Sequence, residues 1–250
     1  MIDIRFVLVD PSHPGNIGAA ARAMKNMALE RLVLVRPRQY PHAEATARAS
    51  GAESVLSSAR VVGTVAEALA DCGFIAATTS RDRDQNFRVL DVRDAAPRLV
   101  EEARRGPVAV LFGAERTGLT NEDLESSHAL VRIPADRAYA SLNLAMAVQI
   151  VSYELYLARG QPCAAGMKDA SGAAVPLATA LEMERLYAHL AQVMDEVGFR
   201  DRTQSGTNLM GRIRRFLQRA QLDQNEANIV RGLLTAVQNR RRAAGRGGRE

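Results

Sequence analysis

Three short segments of the chain combine small residues with isolated polar side chains that could bind or orient a ligand. They are PGNIGAAARAMKNM at 14–27, LFGAERTGLTNEDL at 111–124 and RIPADRAYASLNLAMAVQ at 132–149. In the first, Arg22 is surrounded by alanines and methionines, so it is either paired within the protein or directed at an anion. In the third, the amide of Asn143 falls in the first turn of an apolar helical stretch and must find a partner. Neither residue alone settles the function, but an arginine side chain can bind an anion and an asparagine amide can bind a polar ligand.

The second and third segments each have an ordinary structural interpretation as well. GAERTGLT is compatible with a turn in which Glu115 and Arg116 pair in solvent, and SLNLAMAV with a helix that Ser141 caps. No G-x-G-x-x-G follows the first predicted strand, and the chain contains no G-x-x-x-x-G-K-[ST] sequence. A nucleotide-dependent dehydrogenase and a P-loop phosphotransferase are therefore both disfavoured.

The three segments follow strands of a predicted α/β chain. Short, largely apolar runs predict six strands, at 4–9, 31–35, 59–62, 74–79, 108–113 and 129–134. Helical composition between them predicts helices at 17–28, 64–72, 94–105 and 120–126, with Thr64 and Thr120 as N-caps. This alternation is typical of an open parallel sheet that helices cover on both faces. Ligands bind such sheets beyond the carboxyl ends of the strands, where the three segments fall.

The remainder of the chain is predicted to be helical. A long apolar helix at 141–159 should pack against the sheet or a partner subunit. After a Gly/Ala/Pro-rich stretch, further helices are predicted at 177–197, 207–221 and 224–240. We therefore expect an α/β domain at 1–160, a linker at 161–176, a small all-helical basic domain at 177–240 and a disordered tail at 241–250.

The excess positive charge lies in the C-terminal third. Of the 33 basic and 28 acidic residues, 1–164 hold 19 of each, which leaves 14 basic and 9 acidic residues in 165–250. On the helix predicted at 207–221, Leu209, Ile213, Phe216, Leu217 and Ala220 form an apolar stripe, and Arg212, Arg215 and Arg219 lie together on the other side. Arginine binds phosphate well, so this predicts a polyanion partner. A solvated helical surface is the alternative.

Composition excludes several classes of protein. With 47% hydrophobic residues the chain can bury a sizeable core, and no apolar run approaches the roughly 18 residues of a membrane span. The absence of tryptophan and an aromatic content of 4% argue against a stacking surface for single-stranded nucleic acid. Cys72 and Cys163 lack metal-ligand spacing, and of the four histidines only His13 falls in a candidate loop. We expect a cytoplasmic protein without a metal site.

In this order and spacing, the three segments resemble the three sequence motifs of the SpoU branch of the SPOUT methyltransferases. The resemblance runs from VLVDPSHPGNIGAAARAMKNM through LFGAERTGL to IPADRAYASLNLAMAVQIVSYEL and covers about the first 160 residues. The arginine-bearing helical extension that follows makes the chain most similar to those members that methylate a ribose in the tRNA anticodon loop, at position 32.

The resemblance implies a trefoil-knotted α/β domain, a homodimer, and S-adenosylmethionine as methyl donor to a ribose 2'-hydroxyl of RNA. It also implies cofactor contacts by three loops, which here contain Thr78, Thr79, Ser80, Gly113, Gly118, Ile133, Ser141 and Leu142. The catalytic positions implied by the motifs are Arg22, Asn16, Glu115 and Asn143.

By the family pattern, Arg22 faces the reacting ribose. One implied role is to accept the 2'-hydroxyl proton, but arginine side chains stay protonated in proteins. Gripping a substrate phosphate and orienting the hydroxyl is the less demanding role. Small neighbours, including Gly18, would let the helix approach the RNA or a second chain closely.

The chain departs from the family pattern at two places. Ala28 stands where glycine is usual, and SRDRDQNFRVL at 80–90 lacks the expected aromatic and proline residues. In that loop, Arg81, Arg83 and Arg88 are candidates for phosphate contacts, unless neighbouring aspartates neutralise them. The alternative functions are a 2'-O-methyltransferase of rRNA or of another tRNA position, a non-catalytic knotted RNA-binding protein, and DNA binding by the helical extension.

Overall fold

Seven parallel strands form a single sheet in the computed structural model. The structure describes residues 3–80, 88–160, 176–199 and 209–240, together with the backbone of 241–246. The strands are β1 (Ile4–Val9), β2 (Arg31–Val35), β3 (Arg60–Val62), β4 (Phe74–Thr78), β5 (Val89–Asp91), β6 (Val108–Phe112) and β7 (Ala129–Arg132). Their order is β3-β2-β1-β6-β4-β7-β5, and every neighbouring pair is parallel. The predicted parallel α/β sheet is confirmed.

Helices cover both faces of the sheet and continue beyond it. They are α1 (Pro14–Asn26), α2 (Ala43–Ala49), α3 (Glu53–Ser57), α4 (Val65–Leu69), α5 (Val92–Glu102), α6 (Asn121–Leu124), α7 (Leu144–Ala158), α8 (Ala180–Val197), α9 (Leu209–Ala220) and α10 (Gln224–Arg246). Successive side chains of a strand point to opposite faces, so β1 supplies two cores. Phe6 and Leu8 pack on the side of α1, α5 and α7, and Val7 and Val9 pack on the side of α4 and α6.

All six predicted strands are present, with ends that differ by up to two residues. The prediction missed β5, which has only three residues, and the short helices α2 and α3. It also placed the start of α1 three residues too late. The helix begins at Pro14 because the His13 side chain accepts a hydrogen bond from the Gly15 amide and proline fits the first helical position. The predicted caps Thr64 and Thr120 are confirmed.

The backbone around α1 explains two residues of the first motif region. A Cβ on Gly18 would lie 2.0 Å from the carbonyl oxygen of Ala45, so glycine allows α1 and α2 to cross in direct contact. Just past the end of α1, Ala28 has a φ of +53°, in the left-handed region where glycine is preferred. The departure from the family pattern at Ala28 therefore costs about 1 kcal/mol at the helix end.

The last three helices form their own small core, to which Leu186, Tyr187 and Leu234 contribute. This core joins the sheet domain through α8, whose first amides, Ala180 and Leu181, donate to carbonyl oxygens at the end of α4 and in the turn that follows it. Two details differ from the prediction. Phe216 and Ala220, both assigned to the apolar stripe of α9, are exposed, Phe216 to 60%. The helix α10 continues to Arg246, so the first six residues of the expected disordered tail are helical.

The apolar helix predicted at 141–159 corresponds to α7, which is buried on one side only. Val148, Val151 and Leu155 pack into the sheet core. On the opposite side near its C-terminal end, Tyr153, Tyr156 and Leu157 are exposed to between 46% and 52%. The helix therefore leaves an apolar surface uncovered in the single chain.

Several predictions concern residues outside those that the structure describes. They are the linker apart from Pro176, Cys163, Arg81, Arg83 and the last four residues of the tail. The trefoil knot implied by the resemblance stays a prediction. Among the described helices, none is long and apolar enough to cross a lipid bilayer.

The sheet domain holds His128 in its neutral form, so we expect the free energy of unfolding to fall at acid pH. Its ring stacks on Phe74, and its Nδ1 accepts a 3.1 Å hydrogen bond from the Ile75 amide. Burial, followed by the nearby charge of Arg98, lowers the pKa of His128 from 6.5 to about 4. Protons bind the unfolded chain first as the pH falls through 6.5, so stability falls from there toward pH 4.

We expect about 2 kcal/mol of unfolding free energy to be lost between pH 7 and pH 5 through His128. His128→Asn keeps an acceptor for the Ile75 amide without a titrating group, so its stability should change less over this interval. Urea unfolding of both proteins at the two pH values measures the difference. An equal loss in both proteins would contradict the assignment to His128.

Candidate active site

A cavity of about 380 Å³ opens at the carboxyl ends of β4, β6 and β7. All eight residues predicted to contact the cofactor line it, namely Thr78, Thr79, Ser80, Gly113, Gly118, Ile133, Ser141 and Leu142. The prediction did not include the apolar wall, to which Phe112, Val131, Leu144 and Ala147 contribute. A cavity of this size, with apolar walls and a few hydroxyl groups, suits a small organic ligand.

Backbone geometry shapes the loop after β6 that forms one side of this cavity. A Cβ on Gly113 would lie 2.2 Å from the carbonyl carbon of Gly118, and Gly118 itself has a φ of +69°. A bridge between Ala114 and Gly118 closes the loop. Both positions therefore require glycine, and the closed loop presents Glu115 at its tip.

Glu115 fixes the loop after β1 to the loop after β6. Its Oε2 accepts hydrogen bonds from the Ser12 amide at 2.9 Å and the Ser12 hydroxyl at 2.7 Å. Its Oε1 accepts hydrogen bonds from the His13 amide at 3.2 Å and from Asn16 Nδ2 at 2.9 Å. The sequence analysis missed Ser12, whose only local signal is its place within the first-motif loop. The alternative pairing of Glu115 with Arg116 is not formed in the described structure.

These hydrogen bonds keep Glu115 ionised. Partial burial by itself would raise its pKa, but the hydrogen bonds from Asn16 and Ser12 outweigh burial and lower the pKa to about 2. The carboxylate therefore remains charged throughout the physiological range. Because its oxygens already accept four hydrogen bonds, Glu115 is suited to hold the two loops rather than to accept a proton.

Asn143 extends the same set of hydrogen bonds to the third motif. Its Nδ2 donates to Asn16 Oδ1 at 3.0 Å, and its Oδ1 accepts from the Ala145 amide at 2.9 Å, which caps α7. Asn143 is thus the N-cap of this helix, and the alternative in which Ser141 caps it is wrong. One continuous chain of hydrogen bonds thus runs from Ser12 through Glu115 and Asn16 to Asn143, and we call it the Glu115 relay.

A second, open cavity of about 390 Å³ lies between α1, α2 and α7. We call it the α1–α2–α7 groove. Asn16 and Asn143 line this groove, whereas Glu115 lines the first cavity, so the relay separates the two spaces. Arg22 is exposed on α1 and is not among the lining residues of either space, although the neighbouring Ala19 and Ala23 line the groove.

The histidines of the described residues serve local structure. His42 caps α2, His128 accepts from a strand amide, and His189 contacts Gln238. His13 caps α1 and also lines the α1–α2–α7 groove. Within the part of the chain that the structure describes, no three His, Cys, Asp or Glu residues could together hold a metal ion.

The arginines predicted to bind RNA on α9 differ in their surroundings. Arg212 and Arg219 are exposed, and Arg215 is half-buried and interacts within the protein. A fourth arginine, Arg214, forms an ion pair with Glu184 of α8 and lies over the ring of Tyr187. The exposed face of α9 available to a partner is thus narrower than the sequence predicted.

Two protein-family models match this chain. Residues 3–153 match the model of the SpoU rRNA Methylase family, and residues 181–247 match the model described as tRNA methyltransferase TrmJ, C-terminal domain. The chain belongs to the SpoU rRNA methylase family. The resemblance in the three motifs is therefore confirmed, and the second match shows that the helical extension is of the type found in TrmJ proteins.

Relatives over nearly the whole chain give the same result for this SpoU family member. It is 46% identical to the tRNA (cytidine/uridine/adenosine-2'-O-)-methyltransferase TrmJ of Pseudomonas aeruginosa over 95% of both chains. It is 42% identical to the tRNA (cytidine/uridine-2'-O-)-methyltransferase TrmJ of Yersinia enterocolitica, over 98% of this chain and 95% of that one. The crystal structure of TrmJ from Z. mobilis ZM4 superposes with a TM-score of 0.80 at 35% identity, covering 94% and 98% of the two chains.

Proposed function

We propose that this SpoU family member transfers a methyl group from S-adenosylmethionine to a ribose 2'-hydroxyl of tRNA. The observation that carries the proposal is the Glu115 relay, which joins all three family motifs between the first cavity and the α1–α2–α7 groove. Such an arrangement suits a reaction between a small bound cofactor and a large acceptor that approaches from solvent.

The first cavity fits the cofactor. Leu142, Ile133 and Leu144 offer an apolar surface for a purine ring, and the hydroxyls of Ser80 and Ser141 suit a ribose or an amino-acid group. S-adenosylmethionine supplies an activated methyl group when bound, so the protein has mainly to orient the acceptor. The carboxylate of Glu115 faces this cavity but is held by the relay.

The relay residues position the acceptor side of the site. Glu115 anchors the start of α1, and Asn16 and Asn143 present amides at the wall between the two spaces. Arg22, two turns further along α1, carries a charge that can grip a phosphate next to the reacting ribose. Orientation of this kind accounts for a large part of the rate in reactions of two bound partners.

The substrate class follows from the whole chain. Relatives that match more than nine-tenths of the chain are named as tRNA 2'-O-methyltransferases, and the helical extension carries the exposed Arg212 and Arg219. We therefore propose tRNA, with the anticodon-loop ribose at position 32 as the target. An rRNA substrate is the second candidate, and it is favoured only by the description of the family model.

We further propose a knotted, homodimeric, cytoplasmic enzyme with a catalytic domain at 1–160 and a helical domain at 177–240. The exposed apolar side of α7, formed by Tyr153, Tyr156 and Leu157, supports dimerisation because such surfaces are usually covered by a partner. Measurement of the molar mass in solution by light scattering tests this part of the proposal, and a monomer at micromolar concentration would contradict it.

The proposed reaction is tested by methyl transfer from labelled S-adenosylmethionine to unmodified tRNA and to rRNA, followed by mapping of the product. We expect label on one anticodon-loop ribose of tRNA. Label on rRNA alone would transfer the assignment to the second candidate. Cofactor binding without transfer to either RNA would contradict the enzymatic proposal.

A further inference from the structure

Two exposed arginines outside the residues already assigned to the reaction lie on segments next to the first motif. Arg48, on α2, lines the groove together with Asn16, Asn143 and Gln149. Arg38 follows β2, and its amide donates a 3.1 Å hydrogen bond to the Pro11 carbonyl, which places it beside the first-motif loop. An acceptor strand that enters the groove toward the relay would therefore pass Arg48, and the backbone of Arg38 lies beside the loop that carries Ser12.

Neither arginine has an ion-pair partner in the described part of the chain. By contrast, Arg36, two residues from Arg38, pairs with Asp10 at 2.9 Å. The nearest acidic residue in the groove, Glu44, is 3.9 Å from His13 Nδ1 and turns toward the start of α1. The charges of Arg38 and Arg48 thus stay available to an external anion.

The position of Arg48 is fixed relative to the reaction site by backbone packing. The contact between Gly18 and the Ala45 carbonyl holds α2 against α1, one helical turn from Arg48. An arginine on such a rigid element can meet a phosphate with little loss of backbone freedom. The α1–α2–α7 groove is open to solvent, so a nucleic-acid strand could enter it.

From this geometry we infer that Arg38 and Arg48 form a phosphate-contacting flank of the acceptor site, which grips the RNA backbone next to the target nucleotide. The inference rests on the proposed function, because it takes RNA as the acceptor. It assigns part of the RNA affinity to the sheet domain, whose formal charge is balanced. A balanced domain can still bind a polyanion where its arginines are left unpaired on one surface.

The test is the salt dependence of tRNA binding by the full-length chain. The affinity falls as salt rises, so a plot of log K against log salt has a negative slope, and each lost phosphate contact reduces the magnitude of that slope by about 0.7 to 0.9. The double variant Arg38→Gln/Arg48→Gln should therefore reduce the slope by about 1.5, measured by filter binding between 50 and 250 mM KCl at about neutral pH. Arg38→Lys/Arg48→Lys keeps both charges and should keep most of the slope.

Arg104→Gln is the matched control. Arg104 is also exposed and without an ion pair within the described residues, but it precedes β6 and so lies at the amino ends of the strands, opposite the groove. It should leave the slope unchanged. A slope in the double glutamine variant equal to that of Arg104→Gln would overturn the inference while wild-type methyl transfer stands. Wild-type protein that neither binds nor methylates tRNA would instead overturn the proposed function. Equal thermal unfolding of all variants shows that the comparison concerns binding.

Discussion

Replacement of Arg22 by alanine should reduce methyl transfer to tRNA by roughly 10²- to 10⁴-fold, the range expected for loss of a group that orients or deprotonates an acceptor. Arg22 is exposed on α1 and does not line the cavity proposed to bind the cofactor. Cofactor binding and folding should therefore be unchanged. Single-turnover transfer of labelled methyl groups and calorimetric titration with S-adenosylmethionine measure the two quantities separately.

Two further variants sharpen this result. Arg22→Lys keeps the positive charge but loses the planar guanidinium. If Arg22 binds a phosphate, the lysine variant should therefore be more active than the alanine variant. Arg104→Gln, an exposed arginine before β6, should retain wild-type activity. Arg22→Ala activity within tenfold of wild type would show that the group is not needed for the reaction.

Replacement of Glu115 by glutamine should be almost as damaging, for a different reason. The four hydrogen bonds to the carboxylate come from donors of Ser12, His13 and Asn16. A glutamine amide turns a donor toward these donors, and loss of charge-assisted hydrogen bonds costs about 2 kcal/mol or more. We expect at least a hundredfold lower kcat because the start of α1 loses its anchor.

The matched control is Glu122→Gln, which removes the same charge from an exposed position on α6, a few residues further along the chain. Its activity should remain near wild type. Since Glu115 is a positioning residue, the Glu115→Gln variant should also lose stability, and a urea titration at pH 7 reports this. A variant with unchanged stability and strongly reduced activity would assign Glu115 a direct chemical role instead.

The sequence predicted the strands well because helices cover both faces of the sheet and the strands are continuous apolar runs. It missed β5, whose three residues carry too little pattern, and it placed Asn143 inside α7 rather than at its cap. The eight residues predicted to contact the cofactor line one cavity, and their role as cofactor contacts stays a prediction. Ser12 was missed because its role depends on a partner 103 residues away, which no local pattern encodes.

The place of β6 in the sheet sets when the site can form during synthesis. β1 ends at Val9, whereas its neighbour β6 begins at Val108. At about 5 to 20 residues per second, roughly 5 to 20 s of translation separate the two strands, during which the backbone N–H and C=O groups along one edge of β1 have no native neighbour. Ser12 and Glu115 directly follow these two strands, so their hydrogen bonds form only when the sheet closes. A nascent chain that ends before β6 therefore lacks this connection, and the relay is complete only once Asn143, which follows β7, has also been synthesised.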